Sequence, residues 1–455
     1  MLATRLSRRQ LLQSGAAGGA ALALAPLAAA CGPGSSGSPG SPAASSPAAS
    51  SPAAGSSGEA LTGTLESWTP DTRDDALAAE KWWGEEFTKK YPGVALSQLT
   101  VPYGDDTTKL TAGHAAGAVP DMLYAYSQLM YTYGVDGLTQ PVNDLIDMIG
   151  RDRFIPSALE GITVDGNTYT VPQTGFPFFI YYRKDLYEAK GLKPPETHEQ
   201  LLENIAAVHN PPDVYGCIVT NQAISDTWNL KSAMWTHGAY YFDEQDQLAL
   251  DRPETLKAWQ FFKDLAKSSP PGSMAQSDLE SRQLYVDGKV AHMLTTTSMA
   301  ANFKPADLPR FGAFLYPRKE GAKGASLDFQ GNTIPTKAKS PDIARLAIEF
   351  QLEPDNFQEY LGRTVVGWVP MLQDAYTDAY LNNPRIAPIR EFIELGGESL
   401  KVGVIGTGYW GPSAKDSALT SSDVEKQIGD RLVVDDQSPE EVMQFALETI
   451  QAALG

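Results

Sequence analysis

The stretch Thr64-Leu65-Glu66-Ser67-Trp68, followed by Thr69-Pro70-Asp71-Thr72, decides how the rest of the chain is read. Thr64 to Trp68 reads as a strand, and Asp71 and Thr72 offer N-caps for a helix behind it. That helix carries Ala79, Trp83 and Phe87 at i, i+4 and i+8, one apolar stripe. Pro92-Gly93 breaks it, and Val94 to Val101 makes the next strand. Strand, helix, strand is the unit of an α/β architecture, and the alternation continues. Thr197-His198-Glu199-Gln200 is a capping box opening a helix through Val208. Leu256, Trp259, Phe262 and Leu265 form a further stripe. Ser340-Pro341 starts a helix with Ile343, Leu346, Ala347 and Phe350 on one face. Ser438-Pro439-Glu440-Glu441 repeats that start signal for a terminal helix carrying Val442, Phe445, Ala446 and Ile450. These stripes are core, and none is assigned to ligand binding.

Ahead of this body lie an export signal and a tether. Ser7-Arg8-Arg9-Gln10-Leu11-Leu12-Gln13 has the twin-arginine form, and a mild Ala/Gly/Leu run follows it to Ala30. Ala28-Ala29-Ala30-Cys31 resembles a lipobox, with its hydrophobic residue, Leu27, one place further from the cysteine than usual. Residues 1–30 therefore read as a twin-arginine signal peptide, and Cys31 as the acylated mature N-terminus; an ordinary cleaved signal with an incidental cysteine is the alternative. From Gly32 to Gly58 the chain is almost entirely Ser, Pro, Ala and Gly, a composition that cannot form a core. Those 27 residues span roughly 30 Å as a coil or about 80 Å as polyproline II. The expected location is the outer face of the cell membrane, with the lipid as sole anchor.

The formal charge of the whole chain is −19, and the signal holds three arginines, so the exported protein sits near −22. Such a field repels nucleic acid. Cys31 and Cys217 are the only cysteines, so no disulfide framework is expected, and Cys217 within Tyr215-Gly216-Cys217-Ile218-Val219 reads as a buried inert thiol. The five histidines are scattered without metal-ligand spacing, and no nucleophile elbow, phosphate loop or dinucleotide fingerprint occurs. Asp243-Glu244-Gln245-Asp246-Gln247 lacks the glycine and terminal glutamate of a calcium loop and reads as a solvated turn. No cofactor and no metal are expected.

Several blocks, in order, carry a resemblance. They are Gly117-Ala118-Val119-Pro120-Asp121 through Gly137-Leu138-Thr139-Gln140-Pro141; Asp165-Gly166-Asn167-Thr168-Tyr169-Thr170-Val171-Pro172; Tyr181-Tyr182-Arg183-Lys184-Asp185-Leu186; Gly191-Leu192-Lys193-Pro194-Pro195 with Thr197; Gly238-Ala239-Tyr240-Tyr241-Phe242-Asp243; and Asp287-Gly288-Lys289-Val290-Ala291-His292-Met293. Over residues 60–455 the chain resembles the bacterial extracellular solute-binding proteins of ABC importers, of the type that mostly binds sugars; Arg183 departs from the asparagine of many relatives. The resemblance implies a type II periplasmic-binding-protein-like fold of two α/β lobes joined by crossover strands, with the ligand in the cleft. Mapping the blocks puts crossovers near Pro172–Gly175 and Thr295–Ser298. Lobe 1 is then 60–173 plus 298–352, and lobe 2 is 174–297 plus 353–455. Pro177 and the Gly396–Gly411 stretch suit moving edges; the latter equally suits a surface loop.

The resemblance further implies a monomeric binder that is not an enzyme and delivers a small solute, a carbohydrate first, to ABC permease subunits. A polyhydroxylated ring needs aromatic faces for its C–H patches and small polar groups for its hydroxyls. The candidates at strand ends are Trp68, Asp71, Tyr126, Gln128, Phe176, Asn221, Trp228, Trp235, Thr297, Ser298, Trp368, Tyr409 and Trp410. Core packing is the alternative for each ring; Trp410 stands out because glycines surround it. Two other functions fit the chain: a secreted glycoside hydrolase, for which Asp71, Asp105 or Asp226 could serve in a carboxylate pair, and a binder that feeds a sensor.

Overall fold

The computed structural model describes residues 61–102, 105–222, 227–364, 367–405, 408–420 and 422–454. The signal, Cys31 and the tether lie outside these, as do Asp226 and the side chain of Gln128. The chain separates into two units, Met1–Ser57 and Gly58–Gly455, and the described residues all belong to the second.

β1 (Thr62–Thr69) pairs in parallel with β2 (Gly93–Thr100) on one side and β3 (Met122–Tyr126) on the other. The helix Asp74–Lys90 connects β1 to β2 and buries Ala79, Trp83 and Phe87, the stripe seen in the sequence. Its first turn holds Asp74 and Asp75 and its last Lys89 and Lys90, which suits the helix dipole. The cap differs from expectation. Arg73 precedes the first turn, and the buried Asp71 pairs instead with the half-exposed Arg73 at 3.2 Å.

β4 (Val171–Arg183) is the spine of the body. Its first half pairs antiparallel with β7 (Ser326–Thr333), from Val171↔Asn332 to Pro177↔Leu327. Its second half pairs with β5 (His292–Thr296), from Phe178↔Thr296, and with β6 (Phe311–Phe314), from Ile180↔Phe314. The partner changes between Pro177 and Phe178. β3 and the short β9 (Val404–Ile405) flank β7, and β8 (Val369–Pro370) flanks β4.

Two large cores result. The first gathers Leu65, Trp83, Phe87, Leu123, Val171, Phe179, Tyr181 and Phe329. The second gathers Ile180, Tyr182, Trp235, Trp259, Phe262, Ile428 and Ile450. These cores divide the late chain differently from the boundaries read off the sequence. Phe357, Tyr360, Leu361, Phe392 and Ile393 pack in the first core, and the second takes up again only at Val404. The reason is the helix Pro354–Arg363, which lies on Asp74–Lys90 and not on the second lobe. Phe314, Tyr316 and Ala325 go to the second core while Leu327 returns to the first, so a third crossover lies at the start of β7.

Local signals hold up where they are short-range. Ser438 and Glu441 form the reciprocal capping box, with Ser438 N–H donating to Glu441 Oε2 at 2.9 Å. Thr197 caps its helix through Gln200 N–H at 3.2 Å, but the Gln200 amide oxygen accepts from Glu196. Asp243 accepts from the N–H groups of Gln245 and Gln247, a self-contained turn. Cys217 is buried, its thiol donating to the Leu265 carbonyl, and burial pushes its pKa up to about 12.

Candidate functional site

The change of partners along β4 organises the site. Phe176 and Phe178 are two residues apart, hence on one face of the strand. Phe176 packs with Tyr126 at 5.8 Å and edge-on to Trp368 at 5.4 Å, beside Tyr124 and Ala76. This ring cluster stands apart from both cores. The Arg73 guanidinium lies over Trp368, 5.0 Å from the ring centre. Asp71 behind it is buried, and desolvation raises its carboxyl pKa against the pull of Arg73. Phe178, further along the same face, packs with Trp228 at 6.0 Å, at the start of the helix Trp228–Thr236.

Two cavities lie nearby, of which the inner one touches these rings, through Phe178 and Trp228. The inner one, of about 200 Å³, is lined by Phe178, Thr220, Trp228, Thr295, Thr296 and Arg282. The outer one, of about 770 Å³, is a groove with Arg73 and Asp75 on one side and Asp278, Arg282 and Ser298 on the other. Asp278 and Arg282 line both. They come from the helix Asp278–Val286, whose start is fixed by a Ser277–Glu280 capping box. Arg282 donates to Asp278 at 2.6 Å, to Ser298 at 3.2 Å and to Thr296 at 3.4 Å.

Asp328 at the β7 crossover accepts a short hydrogen bond from the Ser127 hydroxyl, and burial raises its carboxyl pKa to about 6. Gln330, next along β7 on the same face and opposite Thr174 and Tyr126, is fully buried, and neither polar atom of its amide finds a partner among the described residues.

Of the residues nominated from sequence, the structure brings Asp71, Tyr126, Phe176 and Trp368 together, and sets Trp228 and Ser298 on the two cavities. Four others sit inside packing. Trp68 is buried in β1 with its indole N–H on Glu66 at 2.8 Å. Asn221 is wholly buried, donating to the Lys426 carbonyl at 2.8 Å and to Asp430 at 2.9 Å, and so holds the helix Val424–Val433. Trp235 is in the second core. Thr297 is buried beneath Gly367, where a Cβ would come within 2.6 Å of its carbonyl oxygen. Each is a site-type residue at a strand end or crossover whose side chain is buried.

Tyr409 is buried, its hydroxyl accepting from the Lys323 N–H at 3.0 Å. Trp410 beside it is 44% exposed, edge-on to Tyr240 and Tyr409 and outside both cavities. The helix Ala414–Thr420, which follows, meets Ser127–Val135 of the first lobe. Arg73, Phe178, Thr220, Thr296 and Arg282 escaped the sequence reading. Phe178 could have been found from its spacing to Phe176, and Arg282 from the capping box that precedes it.

Of the three hydrolase carboxylates, two lie among the described residues, and these are not brought together as a pair. Asp71 is paired to Arg73, and Asp105 is exposed at the start of the helix Asp106–Ala116. Among the described residues no group of three or more His, Cys, Asp or Glu side chains could hold a metal, and no helix is long and apolar enough to cross a membrane.

Two lobes joined by strands that cross between them, with a cleft at the crossing, define a ligand-clamping protein. The profile of the family described as bacterial extracellular solute-binding protein matches residues 82–388, and the chain belongs to that family. It is 28% identical over 315 residues to a mannitol-binding protein of Pseudomonas aeruginosa, covering 65% of this chain and 71% of that one. It is 23% identical over 423 residues to an arabinooligosaccharide-binding protein of Halalkalibacterium halodurans, covering 87% and 91%. Among solved structures it shares its fold with the sugar-binding protein MalE of Xanthomonas citri, at a TM-score of 0.73 and 17% identity over 86% of this chain and 97% of that one. The GacH receptor of Streptomyces glaucescens superposes with a TM-score of 0.71 at 18% identity, covering 87% and 99%. The fold is therefore that of the two-lobed periplasmic binding proteins, and the family consists of binding proteins.

Proposed function

We propose that the protein captures a neutral polyhydroxylated solute, a sugar or sugar alcohol, in the interlobe cleft and hands it to an ABC permease. The observation that carries this reading is the pair Phe176 and Phe178 on one face of β4. Each heads a ring cluster, with Tyr126 and Trp368 in one and Trp228 in the other; Arg73 lies over Trp368, and Thr220, Thr295, Thr296 and Arg282 line the cavity at Trp228. Rings for C–H faces beside fixed donors for hydroxyls are what such a ligand requires. The names of relatives that bind mannitol and arabinooligosaccharides support the same class. Ligand is gripped when the lobes close, because the closed state offers contacts from both.

The twin-arginine motif, Cys31 and the Ser/Pro/Ala/Gly segment support export and lipid anchoring on the outer face of the membrane, in keeping with an extracellular family. A melting-temperature panel of sugars and polyols tests the function. A true ligand at a hundredfold excess over its dissociation constant adds about 2.7 kcal/mol of stability. A flat response across the panel overturns the carbohydrate reading.

A further inference from the structure

The helix Trp228–Thr236 sets its first ring on the inner cavity and, one turn later, a buried ammonium behind it. That ammonium belongs to Lys231, wholly buried and 5.2 Å from the centre of the Trp228 ring. It donates to the Thr420 hydroxyl at 2.6 Å and forms an ion pair at 3.1 Å with Glu425, which is equally buried. The other carboxylate oxygen of Glu425 accepts from the Thr227 hydroxyl at 3.2 Å. Glu425 therefore holds the residue before Trp228 and the residue one turn after it. Asp416, on the helix Ala414–Thr420, completes the cluster; it is buried, and one of its carboxylate oxygens has no hydrogen-bond partner among the described residues.

We propose that Lys231, Glu425 and Asp416 form a proton-sensitive support that positions Trp228, so that the inner cavity grips its ligand best when Asp416 carries a proton. The effect on affinity rests on the sugar reading above; the positioning of Trp228 does not.

The direction follows from counting charges. With Asp416 protonated, one ammonium balances one carboxylate, and Lys231 stays with Glu425 behind Trp228. With Asp416 ionised, a second buried carboxylate competes for the ammonium and repels Glu425. Burial raises the Asp416 carboxyl to about 7 against the pull of Lys231, and the charges of Glu425 and Asp246 raise it further. Tyr241 beside them is neutral, its hydroxyl pKa pushed well up by burial, and the Lys415 ammonium donates to the Asp246 carbonyl. The exchange of the proton therefore falls near neutral pH.

Fluorine NMR of the full-length protein carrying 5-fluorotryptophan tests the support without ligand. The Trp228 signal, assigned with Trp228→Phe, should shift with a midpoint near pH 7, and Asp416→Asn should abolish that shift. The Trp83 signal, beside Glu80, should titrate in both proteins. A Trp228 signal that stays still in the parent, or moves alike in Asp416→Asn, overturns the proposal. Calorimetric titrations with mannitol and with maltose read the affinity. Whichever binds should weaken about threefold or more from pH 5.5 to pH 8.5 in the parent and hold steady in Asp416→Asn. An affinity that ignores pH in the parent, or follows it equally in the variant, overturns the proposal. Failure of both to bind counts against the sugar reading alone, and the fluorine signal then decides the support.

Discussion

The Tyr360 hydroxyl donates to Glu80 across 3.0 Å, tying the helix Pro354–Arg363 to the first helix of the body, 280 residues earlier. The other carboxylate oxygen of Glu80 accepts the Trp83 indole N–H at 2.6 Å. This buried contact explains why residues after 353 return to the first core, and it gives the fold a pH response.

Burial raises the Glu80 carboxyl from 4.5 to about 7, against the two hydrogen bonds, which favour its charged form. The folded state therefore binds this proton more tightly than the unfolded chain. Its contribution is fully present below about pH 4.5 and is lost as pH rises through about 7, a change of up to about 3 kcal/mol. Glu80→Gln should remove this part of the slope, so its stability relative to the parent improves between pH 4 and pH 8. Denaturant melts across that range measure it; an unchanged difference between the two proteins would count against a raised Glu80.

Trp410 and Trp259 separate site from core. Trp410 lies outside both cavities but is 44% exposed, just before the helix Ala414–Thr420 that meets Ser127–Val135; if lobe closure brings the ring onto ligand, Trp410→Ala weakens binding by about 2 kcal/mol with little effect on stability. Trp259, fully buried, should show the reverse when changed to Ala, losing about 3–5 kcal/mol of stability. Calorimetry and melts on both variants decide it, and normal binding by Trp410→Ala would make that ring structural.

Asn221→Ala should destabilise the fold by about 1–3 kcal/mol, because the Lys426 carbonyl and Asp430 lose a buried donor. Its ligand affinity should stay within about twofold of the parent. A large loss of affinity at undiminished stability would return Asn221 to the binding site.

Cys31→Ala should move the protein from the membrane fraction to the soluble fraction without altering ligand affinity. Fractionation and immunoblotting read this directly, and a variant that stays on the membrane refutes the lipid anchor.

Much of the fold was legible because helical stripes and caps are local. Ala79, Trp83 and Phe87 fell where a period of 3.6 places them, and Ser438 caps as its spacing to Glu441 requires. The site was less so. Asn221 and Ser298 look alike in sequence, as small polar residues just past strands, yet one anchors a helix 205 residues away and the other meets Arg282 at the groove. Trp235 and Trp228 share one helix and differ in surroundings that only the distant chain supplies. Burial of a polar or aromatic side chain at a crossover is decided by which lobe its neighbours belong to, and short windows of sequence do not hold that information.

From Phe179 to Tyr182, successive side chains of β4 enter alternate cores: Phe179 and Tyr181 the first, Ile180 and Tyr182 the second. Neither lobe can melt without stripping one face of a strand on which the other depends. The body should therefore lose structure in a single cooperative step despite having two cores, and a solute gripped mainly by one lobe protects both.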